Sequence, residues 1–461
     1  MEIKFSQPMH VHFIGIGGIS MSGLAQILLD KGFTVSGSDA KESALTKKLA
    51  SEGVEISYPQ KAENIKPGID LVVYTAAIHP DNPEFQAAKK AGLAMETRAD
   101  LLGAIMKEYH ESINVAGTHG KTSTTSMVSE ILLAANADPT ISVGAVLDSI
   151  GGNVRVGGSD IMVAEACEYT NSFLSFFPTI SIILNVKEDH LDFFKDIDDI
   201  RHSFRMFADR LPERGTLIIN TDIDDYEYFT KDLKANVVTV GSDPAKSMYS
   251  AANITFNESG CCHYTLVKNG KEIGDIQLHV PGIHNVYNSL AAIAASELVG
   301  ADFESIKKGL SNFGGAERRF QKKGIFNGAD VIDDYAHHPD EIRATLETAK
   351  HYPHKEIYLV FQPHLYSRTK LLMDDFAEVL SHGADHVILA KIYAARENDD
   401  LGISSQTLCD EIIKRGGECR YIDTFEGIEK FLSENVMHGD LLITMGAGDV
   451  YKVGEDLVSK A

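Results

Sequence analysis

The sequence predicts an α/β protein with mostly parallel sheets, divided into three domains. Three observations carry that prediction. Apolar strand-length runs alternate with helix-length amphipathic segments almost from end to end. At 461 residues the chain exceeds what one ordinary core organises. Two breaks, near residues 111 and 322, each open a fresh strand-loop-helix series.

In the first unit, residues 1–111, VHFIGIGG runs from a strand into a glycine turn. MSGLAQILLDKG follows as a helix with Leu24, Ile27 and Leu28 on one face, stopped at Gly32. FTVSGSD and DLVVYTAAI are the next strands. ESINVAG opens the second unit, residues 112–321, which holds the strands DIMVAEA, TISIILNV and TLIINTD. CCHYTLVKNGKEIGDIQLHV reads as a hairpin, because Asn269-Gly270 suits a tight turn. HNVYNSLAAIAASELVG reads as a helix with Leu290, Ile293, Ala294 and Leu298 on a common face. FGGAERRFQKKG reads as a glycine-rich break. In the last unit, residues 322–461, ADVIDDY, EIYLVFQ, HVILAKI and DLLITMG are strands, with helices at TLETAK, MDDFAEVL and CDEIIKRG.

Composition narrows the function. The chain carries 43 Lys+Arg against 66 Asp+Glu, a formal charge of −23. Such a field repels nucleic acid and anionic membranes, so an anionic ligand needs placed donors or metal ions. The five cysteines, Cys167, Cys261, Cys262, Cys409 and Cys419, are odd in number and form no C-x-x-C pair, which suggests reduced thiols. No apolar run resembles a signal peptide or reaches membrane-spanning length, so a cytoplasmic protein without membrane insertion is expected.

Two glycine loops suggest phosphate binding. In Gly15-Ile-Gly17-Gly18-Ile-Ser-Met-Ser-Gly23, glycines at a strand-to-helix turn let backbone N–H groups approach a diphosphate. Asp39, closing the second strand, stands where an acid meets a ribose or base. NAD, FAD and a UDP-linked sugar all remain open here, as does a turn without ligand. GTHGKTST is more specific: it follows a β-branched strand and opens a helix. Lys121 would reach β- and γ-phosphates, and Thr122 would offer an oxygen to Mg²⁺. Only Thr118 and His119 separate Gly117 from Gly120, fewer residues than the standard phosphate loop. Glu165 ends one apolar strand, and Asn185, Asp189 and His190 follow another. In a parallel sheet those ends share the edge where ligands collect.

Taken in order, GIGGISMSG, GTHGKTST, EACE, NVKEDHLD, HNVYNS, ERRFQ, DDYAHHP, FQPHLYSRT and MGAGDV resemble the Mur ligase family over nearly the whole chain. The resemblance is narrowest to its alanine-adding branch. It implies a Rossmann-like UDP-binding domain, a central P-loop-type ATP-binding domain and a Rossmann-like C-terminal domain. The implied activity is ATP-dependent ligation of L-alanine to the carboxylate of UDP-N-acetylmuramate, through an acyl phosphate, in peptidoglycan precursor synthesis.

Carried over by motif, Gly15, Gly17, Gly18, Ile19, Ser20, Met21 and Asp39 would hold the UDP substrate. Gly117, Thr118, His119, Gly120, Lys121, Thr122 and Ser123 would hold ATP, with His284, Asn285 and Asn288 at the adenine, Asp334 at the ribose and Arg318 at the phosphates. Thr122, Glu165 and His190 would bind Mg²⁺, with Mn²⁺ as a substitute. Tyr335, His337, His364 and Arg368 would face the muramyl group. Lys121, Glu165, His190 and Arg318 would then be the catalytic set, and His337 or a water the acceptor of the amine's proton. A monomer or homodimer is expected, closing about Gly314-Gly315.

Three departures accompany the resemblance. Ser20 replaces a glycine common in the first loop, and Leu365 stands where relatives often have arginine. The lysine that other Mur ligases carry past the metal histidine is absent from HSFRMF, as in the alanine-adding branch. The rival within the family is a murein peptide ligase that attaches a recycled tripeptide. A nicotinamide dehydrogenase would leave GTHGKTST without purpose, and a P-loop switch would leave the first glycine loop without one.

Overall fold

The computed structural model describes residues 3–460 apart from 76, 192, 396 and 398–400. Its strands form three sheets. The first is all-parallel: β1 (His10–Ile14), β2 (Thr34–Ser38), β3 (Glu55–Ser57), β4 (Leu71–Tyr74) and β5 (Ala94–Thr97), in the order β3-β2-β1-β4-β5. The order reverses at β1, so a crevice opens beyond its carboxyl end, and Gly15–Gly18 lie there. Leu24, Ile27 and Leu28 are buried as their spacing requires.

The second sheet has ten strands: β6 (Glu111–Ala116), β7 (Thr140–Leu147), β8 (Gly152–Arg155), β9 (Ile161–Glu165), β10 (Ile180–Ile183), β11 (Thr216–Asn220), β12 (Asn236–Val240), β13 (Tyr249–Phe256), β14 (Cys261–Lys268) and β15 (Lys271–Pro281). The order is β15-β14-β13-β12-β11-β10-β6-β9-β7-β8. Its centre is parallel and buried on both faces, hence the β-branched runs of β6, β9, β10 and β11. β14 and β15 pair antiparallel, and Asn269 (φ 51°) and Gly270 (φ 72°) make the tight turn expected between them.

The third sheet orders β16 (Gln321–Phe326), β17 (Ala329–Asp334), β18 (Ile357–Phe361), β19 (His386–Leu389), β20 (Cys419–Tyr421) and β21 (Leu441–Met445) as β16-β17-β21-β18-β19-β20. Only β16 runs antiparallel.

Two expectations differ. The tail of the FGGAERRFQKKG break is β16, an edge strand whose polar residues give no apolar alternation. Leu298 does not share the buried face of Leu290, Ile293 and Ala294; it is 46% exposed in the last turn of its helix. Among the described residues no helix is long and apolar enough to cross a membrane.

The helix Lys121–Ala134 follows β6 and is buried on nearly every side. It packs on the helices Ile283–Leu298 and Phe303–Asn312. Gly309 permits the second contact, since a Cβ there would lie 2.4 Å from the Ile131 Cα. A rigid support therefore stands behind the loop that opens this helix.

Candidate active site between the central and C-terminal sheets

Gly117 (φ 146°) and Gly120 (φ 85°) occupy conformations that favour glycine, and a Cβ on Gly120 would strike the Asn288 amide at 2.6 Å. Asn185, just past β10, clamps the loop. Its Oδ1 accepts the His119 N–H at 2.8 Å, and its Nδ2 donates to the His119 carbonyl at 3.0 Å. The Thr118 hydroxyl accepts the Lys187 N–H at 2.9 Å. Lys121 Nζ donates to the Gly117 carbonyl at 2.6 Å and the Thr118 carbonyl at 3.0 Å, and pairs with Glu168 at 3.0 Å. Burial opposes the charge on Lys121, but Glu168, with Cys167 and Glu165, more than offsets it and raises the pKa. The lysine is a fixed cation.

Glu165 ends β9 against the start of the same helix. Its Oε2 accepts the Thr122 hydroxyl at 2.9 Å and the Gly144 N–H at 3.0 Å. His190, in a left-handed conformation (φ 53°), lies against the Tyr169 ring with centroids 4.6 Å apart. Burial lowers its pKa against the pull of Asp189 and Glu168. Asp189 accepts from Arg368 at 3.0 Å, joining the central unit to the C-terminal one. Burial opposes ionisation of Asp189, yet His190 and Arg368 outweigh it and hold the carboxyl below its usual range.

A cavity of about 360 Å³ lies between the two units. The loop borders it through His119, Gly120, Thr122 and Ser123, and the helix Ile283–Leu298 through His284, Asn285 and Asn288. Asp334 closes it from the C-terminal side, accepting the Phe320 and Ala336 N–H groups at 2.7 and 2.8 Å. Burial raises the Asp334 pKa to about 6, against the pull of Arg319.

The arginine needs correcting. Arg318 does not border the cavity: it is engaged by Asp333 at 2.7 Å and by the carbonyls of Gly446 and Gly448 at 2.6 and 3.1 Å. Its neighbour Arg319 lines the cavity; burial opposes its charge, and Glu341 and Asp334 outweigh that and raise its pKa. ERRF offers both arginines, and only the backbone decides between them: Arg318 (φ 59°) and Phe320 (φ 46°) are both left-handed, turning adjacent side chains to different sides.

Of the four residues expected to face the muramyl group, Tyr335, His337 and His364 form a ring cluster. His337 lies 5.4 Å from Tyr335 and 5.9 Å from His364, centroid to centroid, and His364 stacks on Tyr393 at 5.6 Å. Arg368 stands apart, at a second opening it shares with Asp189 and His190. Sequence reading did not single out Glu341. It takes the His119 ring at 3.2 Å and the His337 N–H at 3.1 Å, and lies 3.7 Å from Arg319. Burial opposes its charge, but His337, His119 and Arg319 hold the pKa well below the usual range.

At the first loop, Asp39 accepts the Gly17 N–H at 2.8 Å, and Gly15 and Ile16 donate to the Ser38 carbonyl at 2.9 Å. Gly18 caps the helix Ile19–Asp30, whose first turn carries Ile19, Ser20 and Met21. Asn153, on β8, donates to the Ile19 carbonyl at 3.0 Å, so the first loop rests on the central sheet. Arg98, also missed, donates to the Ser20 hydroxyl at 3.0 Å. Among the described residues no carboxylate lies within ion-pair distance of its largely buried guanidinium. A lone arginine opening a helix gives no periodic signal.

Known proteins resemble this chain throughout. The family description "Mur ligase family, catalytic domain" matches residues 10–110, "Mur ligase middle domain" residues 115–296, and "Mur ligase, glutamate ligase domain" residues 318–448. The UDP-N-acetylmuramate–L-alanine ligase of Lachnospira eligens is 69% identical over 457 residues, 99% of each chain. That of Agathobacter rectalis is 60% identical over the full length of both. Among solved structures, the UDP-N-acetylmuramate–alanine ligase of Thermotoga maritima matches with a TM-score of 0.81 at 30% identity, over 98% of this chain and 99% of its own. A murein peptide ligase from Psychrobacter arcticus matches with a TM-score of 0.72 at 25% identity, over 98% of each.

Proposed function

The chain belongs to the Mur ligase family, and from that premise we propose that it joins L-alanine to the carboxylate of UDP-N-acetylmuramate at the expense of ATP, in peptidoglycan precursor synthesis. We assign the UDP-sugar to residues 1–111, ATP to 112–321 and closure of the site to 322–461. The carrying observation is the phosphate loop at the mouth of a cavity that both the central and C-terminal units line. The protein acts in the cytoplasm, as a monomer or homodimer.

A carboxylate resists amine attack because oxide is a poor leaving group. A carboxylate oxygen attacks the γ-phosphorus of ATP and ADP departs with the P–O bonding pair, giving an acyl phosphate; the amine then attacks the carbonyl carbon and phosphate departs with the C–O bonding pair. The barrier is charge meeting charge, so positioned cations dominate. Lys121 and Arg319 meet the phosphates; Asn285 and Asn288 bound the adenine end, and Asp334 takes the ribose.

Thr122 and Glu165, already in contact through hard oxygen donors, fit Mg²⁺, with Mn²⁺ as a substitute and His190 as a further ligand. Bound there, the ion would neutralise part of the transferring group's charge. His337 hydrogen-bonds the Tyr335 carbonyl through Nδ1 at 3.0 Å, which leaves Nε2 to accept the amine's proton. Burial lowers its pKa against the pull of Glu341, the direction that favours the unprotonated ring.

The test is phosphate release from ATP with Mg²⁺ and UDP-N-acetylmuramate, offering L-alanine, L-serine, glycine or a muropeptide tripeptide in turn. L-Alanine should give the highest rate. Turnover with the tripeptide alone would assign the chain to the other branch.

A further inference from the structure

We propose that His119, His338 and Asp340 form a second cation site, selective for a borderline divalent ion such as Zn²⁺, at the seam between the phosphate loop and the C-terminal unit. One ligand atom of each residue lies within 4.8 Å of the other two, and among the described residues no other group of three His, Cys, Asp or Glu converges this way. The two imidazole centroids are 5.3 Å apart. His338 is 5% exposed, and its Nε2 and that of His119 are buried without a hydrogen-bond partner. Two orphaned nitrogens on neighbouring imidazoles are costly unless something satisfies them.

The surroundings favour a cation. Glu341 engages His119 Nδ1 at 3.2 Å, which directs the Nε2 lone pair outward, as the carboxylate behind a metal-bound histidine does. Asp189 and Glu341 add negative charge around His338. His338 Nδ1 accepts the Asp340 N–H at 3.3 Å, so binding metal through Nε2 requires the other tautomer and costs that long hydrogen bond.

Two nitrogens and one oxygen suit Zn²⁺ or Co²⁺ and not Mg²⁺, which takes oxygen. The site is thereby separate in chemistry from Thr122 and Glu165. His119 belongs to the loop after β6, whereas His338 caps the helix Pro339–Lys350 after β17 and Asp340 lies in its first turn. An ion would tie the two units together at the edge of the cavity and inhibit turnover.

Co²⁺ serves as the probe, titrated into metal-free full-length protein in excess Mg²⁺. One equivalent should give a visible d–d band, abolished by one equivalent of Zn²⁺. His338→Gln and Asp340→Asn should each weaken Co²⁺ binding at least as much as the 10–100-fold typical of losing an outer partner. Circular dichroism checks that both variants fold, and Asp340→Asn preserves shape at a solvent-accessible position. No band, or a band unchanged in both folded variants, would overturn the proposal. Alanine ligation measured in Mg²⁺ with Zn²⁺ chelated is independent of this result, so the two readings fail separately.

Discussion

Arg318 and Arg319 are adjacent in sequence and opposite in task. Arg319→Ala should leave folding near normal and slow alanine-dependent phosphate release by roughly 10²–10³, the typical effect of losing one charge-stabilising donor. Arg318→Ala strands the buried Asp333, and breaking such a pair costs about 3–5 kcal/mol. It should therefore lower the melting temperature, with kcat per folded molecule less affected. Equal rate losses in two equally stable variants would refute the division. Lys121 and Glu168 pose a similar problem, because Lys121→Ala would remove the proposed phosphate contact and also leave Glu168 buried alone. Adding Glu168→Gln should restore much of the stability and none of the rate. Asp334 titrates in the opposite sense to most acids. Its folded pKa of about 6 lies above the ordinary 3.8, so the native state holds its proton more tightly than the unfolded chain. Its contribution is complete below pH 3.8 and lost as pH rises past 6, on the order of 3 kcal/mol. Urea melts from pH 4 to 7 should show this decline in the wild type and not in Asp334→Asn. The placement of the loop and of the groups beside it was legible in the sequence because GTHGKTST, Glu165 and His190 each mark a strand end. Arg319, Glu341 and Arg98 were not, since side-chain direction and unpaired burial leave no trace in spacing.

Elements explain why the loop holds its shape. The helix Lys121–Ala134 is almost wholly buried, and Gly309 lets its neighbour approach to backbone contact. Gly309→Ala should displace that neighbour and cost about 1–3 kcal/mol by overpacking. The displacement passes to the helix that opens at Lys121, so weaker ATP binding should accompany the lower melting temperature; unchanged ATP affinity would show that the loop is insulated. Most parallel strands were readable because burial on both faces demands continuous apolar runs. The misses have more than one cause. β3, β5 and β20 are short, and β8 and β16 have a polar or glycine-broken pattern, so none of these carries the apolar run by which a buried strand is read. β7, β12 and β13 are missed as well, although β7 and β12 do carry β-branched residues. Leu298 kept the helical period yet faced water, because the helix outruns the core that its earlier turns cover.

Across the whole molecule, ion pairs tie the central and C-terminal units together at the site. Asp189 meets Arg368, and Glu341 meets His119. Both use the residues that would face substrate, so ligand binding and closure compete for the same groups. Small-angle scattering should show a smaller radius of gyration with ATP analogue and UDP-sugar than without; superimposable profiles would argue for a static assembly. The segment joining the two units has a consequence of its own. Gly315, Ala316, Arg319 and Phe320 lie on that connection and also line the cavity. Lever and lock are one piece of chain, so a compound wedged against Phe320 would act as a doorstop. Breeding resistance to it at those positions would stiffen or loosen the pivot itself.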